Sequence, residues 1–260
     1  MMKNMIHEFK YFKKDNLSIK IFKETREIGI VAANFVAREL TSAIKLKGSA
    51  NLLLPAGGSQ ISFLDQLQQQ KIAWSRINVF HLDEYKEMPE THPASFRKFL
   101  KEGIFKHINP KNVYYIQGDA PDLESELLRY ENLLKKHPID VACIGIGENG
   151  HIAFNDPPMA DFNDHNLVKV VELDEACRKQ QVGEGWFTTL EDVPKEALTL
   201  TIPAIMSSKT ISCVVPDKRK AQAVYNTLNS EITTACPATI LRRHSHAVLY
   251  LDSLSASLLP

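Results

Sequence analysis

This chain has no excess of charge of either sign. Thirty-one lysines and arginines are cancelled by thirty-one aspartates and glutamates, so bulk charge argues against nucleic acid or another polyanion as a partner. Cysteine is scarce as well. Cys143, Cys177, Cys213 and Cys236 lie far apart with no CxxC pair, so neither a zinc site of usual spacing nor a disulfide framework is expected. No apolar run approaches the length that spans a bilayer, and no membrane partner is expected. The N-terminal MMKNMIHEFKYFKKDN is threaded with lysines and has no apolar signal core. Repeats, low-complexity tracts and flexible linkers are absent. What is present is a chain of 260 residues, 44% hydrophobic and 24% charged, which is ordinary globular composition. That length suits one large domain with a full-sized core, expected here over residues 1–260. We expect a soluble, cytoplasmic protein with reduced thiols.

Short apolar runs alternate with longer amphipathic ones. Leu17–Phe22 has the pattern of a strand. Residues 25–46 read as a helix, because Ala32, Val36, Leu40 and Ile44 recur every fourth position, as one buried face requires. Further strands are expected at 51–54, 76–80, 112–116, 139–144, 167–173, 210–215 and 247–251. Helices are expected after the 55–59 loop, carrying Ile61, Leu64 and Leu67, and at 94–105, 122–136 and 218–228. The run at 139–144 is almost wholly apolar, as in a strand buried on both faces. This alternation implies an α/β fold: a doubly wound, mostly parallel, Rossmann-like sheet with helices on both faces. Such folds bind ligands beyond the carboxyl ends of their strands, which selects the loops 55–59, 81–85 and 145–156.

Each of these loops carries polar groups. In Pro55-Ala56-Gly57-Gly58-Ser59 two glycines free the backbone N–H groups to turn toward an anion, and a helix follows. A plain strand-to-helix turn with Ser59 as N-cap is the competing reading. The pattern is neither a Walker loop nor GxGxxG, which removes support for ATP or dinucleotide binding. His81-Leu82-Asp83-Glu84-Tyr85 sets two carboxylates side by side. Neighbours on an extended chain point to opposite sides, so one can be a general base while the other serves structure. In the stretch 145–157 three glycines and a proline bracket Asn149, His151 and Asp156. A histidine at the mouth of a parallel sheet, with Asp156 near enough to orient its ring, forms an acid–base pair. Lys218, Arg219 and Lys220 open a helix against its macrodipole, and a phosphate shared with the Gly-Gly loop is one reason for them to be there. Arg242-Arg243-His244-Ser245-His246 contains no acid and reads as surface. Trp74 and Trp186 read as core or loop anchors.

At these stretches the chain resembles the glucosamine-6-phosphate deaminase (isomerase) family, which shares a superfamily with 6-phosphogluconolactonase. The pieces that carry the resemblance are LLLPAGGSQISFLDQL, INVFHLDEYKEMPETHPASFRKFL, IDVACIGIGENGHIAFNDP, VPKEALTLTIPAI and KRKAQAV. They follow one another in family order from about residue 50. DEY followed by HPxSF, with GHIAFN, is specific to the deaminase branch. A lactonase would be expected to carry arginine where Tyr85 stands. The resemblance implies opening of an aminosugar 6-phosphate ring, isomerisation between C1 and C2, and loss of ammonia, with a sugar phosphate as partner and no cofactor or metal. It implies that Asp83 is the base that moves the C2 proton, that His151 is the ring-opening acid–base residue, and that Asp156 orients it. It implies a phosphate cradle of Gly57, Gly58, Ser59 and Lys220, and Glu84 is kept as a candidate for substrate binding.

Four departures from the family pattern bear on specificity. Asn149 stands where some members have aspartate in the ring-opening group. Asp156 stands where glutamate is usual. The segment DEACRKQQVGEGWF is longer than its counterpart, and Gly185 falls where a substrate-binding arginine would be, so Arg178 or Lys179 is the expected replacement. The chain ends soon after its last strand, so allosteric control by an N-acetylated sugar phosphate is not expected. Galactosamine 6-phosphate therefore competes with glucosamine 6-phosphate as substrate. A lactonase and a non-catalytic sugar-phosphate sensor are the alternatives. A sensor would carry a DNA-binding helix-turn-helix in the first fifty residues, where a strand and helix of the fold are read instead. The sequence leaves a homo-oligomer open.

Overall fold

A computed structural model describes residues 10–260. The first nine residues of the lysine-rich N-terminal segment lie outside them. The chain forms an eight-stranded sheet from β1 (Lys10–Lys14), β2 (Leu17–Phe22), β3 (Ala50–Leu54), β4 (Ile77–His81), β6 (Asn112–Tyr114), β7 (Val141–Ile144), β10 (Thr210–Val215) and β11 (Ala247–Asp252), in the order β1-β2-β11-β10-β7-β3-β4-β6. All neighbours are parallel except the edge pair β1–β2. β1, which the sequence reading did not anticipate, is mostly exposed and rich in lysine, as suits the edge of a sheet. β3, β4, β7 and β10 are buried throughout, matching their continuous apolar runs. The doubly wound, mostly parallel α/β sheet is thus as expected.

The helices cover this sheet on both faces. They are α1 (Thr25–Lys47), α2 (Ile61–Leu67), α3 (Phe96–Leu100), α4 (Leu123–Lys136), α5 (Glu175–Gly183), α6 (Ile202–Met206) and α7 (Ala221–Asn229). α1 starts at a capping box between Glu24 and Glu27 and stops at Gly48 in the left-handed region. It buries Ala32, Val36 and Leu40, while Ile44 is half-buried against the same core. In α2 the inward face is Phe63, Leu64 and Leu67, and Ile61 is exposed. The helix expected at 94–105 is α3 followed by a π-helical turn, Lys101–Phe105. The one expected at 218–228 opens as a 3₁₀ turn, Lys218–Lys220. His244, read as surface, is buried, and its Nε2 lies 2.8 Å from the Ser208 carbonyl. Among the described residues no helix is long and apolar enough to cross a membrane.

The strand expected at 167–173 does not join the main sheet. β8 (Val168–Glu172) pairs with β9 (Glu196–Leu200), which pairs with β5 (Asp83–Tyr85), in a separate antiparallel sheet. A single residue, Leu82, separates β4 from β5, so this small sheet stands at the carboxyl end of the large one. The Tyr130 hydroxyl pins the joint: it accepts from His81 N at 3.0 Å and donates to the His81 carbonyl at 2.9 Å. The winding reverses between β3 and β7, which share two register pairs, Leu52 with Val141 and Leu53 with Ala142. Their carboxyl ends lead into 55–59 and 145–156, and the crevice between them is where a doubly wound sheet receives its ligand.

Candidate active site

A cavity opens at this crevice, at the place where such sheets receive small molecules. Its walls include Gly57, Ser59, Asp83, Gly147, His151 and Lys220, with Gln180, Gln181 and Glu184 from α5. Residues from all three selected loops therefore meet on one space.

His151 is set by its own loop. Its Nδ1 lies 2.9 Å from Asp156 Oδ1 and 2.8 Å from Asn149 Oδ1. Asn149 is held in turn, because its Nδ2 donates to Asp156 Oδ1 at 2.9 Å and to Asp174 Oδ2 at 3.3 Å. With that amide nitrogen spent on two carboxylates, its oxygen faces the imidazole and accepts from His151 N at 3.0 Å. An Nδ1–H directed at a carboxylate leaves Nε2 as the free ring nitrogen, able to accept and return a proton. Asp156 is fully buried. Burial alone raises its carboxyl, but hydrogen bonds from His151, Asn149 and Asp174 N outweigh that and hold it below the usual carboxylate range. Asp156 thus reaches the imidazole despite being one methylene shorter than glutamate.

Asp83 and Glu84 part company as alternation on a strand requires. Asp83 lines the cavity, and burial, then the neighbouring Glu84 charge, raise its carboxyl well above the usual range. Glu84 turns the other way and is fully buried. It accepts from Ser95 Oγ, Arg97 N and Arg97 Nε on one oxygen, and from Tyr85 N and Phe96 N on the other. The expectation that Glu84 touches substrate is therefore corrected: its carboxylate is used up in anchoring the start of α3 and the buried Arg97. Tyr85 is buried, and its hydroxyl donates to Gln181 Oε1 at 3.0 Å.

The cavity wall also includes a buried lysine. Lys220 is 3% exposed there, and burial lowers its pKa from the ordinary value. Gly57, at φ +118°, starts the turn Gly58–Gln60, and the turn is not capped by a side chain. The Ser59 hydroxyl, which accepts from Gln60 Nε2 at 3.1 Å, is thus not its N-cap. Gly58 lines a neighbouring depression with Thr25, Ser62, Arg219 and Lys220 instead of the main cavity.

Arg178 does not replace a substrate-binding arginine. Its guanidinium donates to the carbonyls of Leu190 and Val193 and lines a different depression. Lys179 is exposed and pairs with Glu175. The α5 residues that do reach the cavity, Gln180, Gln181 and Glu184, were missed. The signal was there: 180 and 184 are one turn apart, while 178 lies about 200° around the helix from 180. The fold also brings Cys177 Sγ within 4.8 Å of ligand atoms of His151 and Asp156, a set able to hold a metal ion. Burial, then the nearby Asp156 carboxylate, raises the thiol well above its ordinary pKa.

Comparison with known proteins gives the chain's family. Residues 23–250 match the family described as glucosamine-6-phosphate isomerases/6-phosphogluconolactonase. A glucosamine-6-phosphate deaminase of Bacillus cytotoxicus is 37% identical over 219 residues, covering 84% of this chain and 82% of the relative. One from Bacillus cereus is 35% identical over 242 residues, covering 93% and 88%. The solved structure of a monomeric glucosamine-6-phosphate deaminase superposes with a TM-score of 0.84 at 32% identity, over 92% of this chain and 99% of that one. A 6-phosphogluconolactonase from Thermotoga maritima shares the fold, with a TM-score of 0.73 at 20% identity over 91% and 99%. With residues 23–250 matched by the family and relatives alike over most of its length, the chain belongs to the glucosamine-6-phosphate isomerase/6-phosphogluconolactonase family.

Proposed function

We propose that this chain is a cytoplasmic enzyme, one catalytic domain over residues 1–260, that isomerises and deaminates a hexosamine 6-phosphate. The reaction is glucosamine 6-phosphate plus water to fructose 6-phosphate plus ammonia, or the same with galactosamine 6-phosphate. One observation carries the reading: a buried carboxylate, a carboxylate-oriented imidazole, a buried lysine and a glycine-rich turn line one cavity.

His151 Nε2 exchanges a proton with the ring oxygen as the C1–O5 bond breaks and the C1 hydroxyl loses its proton, giving the open aldehyde. Asp83 removes the proton from C2 while the proton that the C1 hydroxyl gave up returns from His151 to the C1 oxygen, leaving an enolamine. Asp83 then delivers its proton to C1. The C2 iminium so formed adds water and releases ammonia, which completes the ketose. Asn149 and Asp156 hold the imidazole, and Lys220, Gly57 and Ser59 hold the phosphate, so the reacting carbons meet positioned groups. The partner is a small sugar phosphate, and nucleic acid and membranes have no part in the reaction.

The test is direct. The protein is incubated with glucosamine and galactosamine 6-phosphates, ammonia and ketose phosphate are measured, and kcat/KM is compared across the panel. Release of both products in equal amounts supports the reading. No turnover of any member returns the non-catalytic sensor to first place.

A further inference from the structure

Lys220 is nearly without partners for so deeply buried a cation. Among the described residues its Nζ makes one ion pair, with Glu184 Oε1 at 3.7 Å. That carboxylate is aimed: Gln180 Nε2 donates to Glu184 Oε1 at 2.9 Å, and Glu148 N donates to Gln180 Oε1 at 2.9 Å. Glu184 sits at the C-terminal end of α5 and lines the cavity beside Lys220. A phosphate dianion and a carboxylate cannot share one ammonium in so dry a site without like-charge repulsion.

We propose that Glu184 is a specificity-determining residue that occupies Lys220 in place of the substrate phosphate, so that a phosphate monoester must displace it to bind. This rests on the reading that Lys220 receives the phosphate. A hexosamine without a phosphate offers Lys220 no anion and leaves the pair closed. The exchange also moves the end of α5. Its start is tied to the histidine loop, through Asn149 Nδ2 to Asp174 Oδ2 and Asp174 N to Asp156 Oδ2, whereas Glu184 tethers the other end to Lys220. Two residues on, Trp186 packs edge-on against Phe99 with ring centroids 5.8 Å apart, so its indole reports on that end.

The experiment uses the full chain with Trp74→Phe, leaving Trp186 as the reporter, with and without Glu184→Gln. Glutamine keeps the oxygen that accepts from Gln180. Inorganic phosphate is titrated against Trp186 fluorescence, and KM and kcat are measured for glucosamine 6-phosphate. In Glu184→Gln the phosphate half-saturation and KM are both expected to fall about tenfold or more, with kcat changed far less. Unchanged or weaker phosphate binding in Glu184→Gln overturns the proposal, because Glu184 is then part of the wall that holds substrate. Glu184→Asp, which keeps the charge and draws it back, should fall between the two, and a phosphate affinity equal to the parent's also overturns it. A normal fluorescence response to phosphate with no turnover of any hexosamine phosphate sinks the enzymatic reading and leaves this one standing.

Discussion

The imidazole of His151 lies directly against Gly147. A Cβ on Gly147 would sit 2.1 Å from His151 Cε1 and 2.3 Å from its Nδ1, closer than any real contact. Gly147 is therefore glycine for want of space, since its φ is not in the left-handed region. At the neighbouring Gly145 a Cβ would meet only the end of the Gln60 side chain, at 2.8 Å, and would have to displace its hydrogen bond to the Val214 carbonyl.

Gly147→Ala should push the ring off its seat while leaving the sheet intact. A displacement of about 1 Å at a reacting group costs about a hundredfold in rate. Turnover of glucosamine 6-phosphate should fall by roughly that factor with a nearly parental circular dichroism spectrum. Turnover within about threefold of the parent would show that the ring's position is not used.

Asp83→Asn should keep substrate binding and lose proton transfer at C2, by at least about a hundredfold in turnover. Deuterium exchange at C1 of the ketose phosphate is the sensitive measurement, and parental exchange would rule Asp83 out as the base. The same substitution should stabilise the fold. A carboxyl whose folded pKa is raised contributes stability below its unfolded pKa and loses it as pH rises through the folded one. Well above the ordinary carboxylate pKa the raised Asp83 is thus a cost that asparagine removes, and the gain in Tm should shrink as the pH is lowered toward 4.

The pH dependence of kcat/KM follows from the same group. Burial and the Glu84 charge raise Asp83 well above the usual carboxylate range, and a base works when ionised. The acid limb of the profile should therefore lie clearly above the ordinary carboxylate pKa of about 4. A limb at the ordinary value would assign it to another group.

Lys220→Ala should act mainly on the phosphate. Loss of one charge-assisted hydrogen bond costs roughly 1.5–3 kcal/mol, or about one to two decades of affinity. An equal penalty for phosphorylated and unphosphorylated ligands, measured by competition, would give Lys220 another role.

The central strands were legible because a strand covered on both faces must be apolar along its whole length, as in 139–144. The ligand loops were legible because the glycines at 57, 145 and 147 interrupt those runs where a parallel sheet ends. The small sheet was not. β5 is three residues long with two carboxylates, and nothing local shows that Asp83–Tyr85 pairs with residues more than a hundred positions away. Arg178 misled because a missing positive charge was sought by residue type, whereas the rotation of α5 decides which side chains enter the cavity. Glu84 misled because its five donors come partly from α3, a contact that the order of residues does not display.

The single-residue joint between β4 and β5 separates two kinds of change. Asp83 follows that joint, two residues after the His81 backbone that Tyr130 holds, and His151 rests against a glycine with no room for a side chain, so the reacting groups are tied to the packed end of the large sheet. Gln180, Gln181 and Glu184 belong to one short helix laid over them. Substitutions along that helix can redraw which sugar enters while the atoms that move protons stay where they are. The molecule is in this sense a fixed tool with an interchangeable guard.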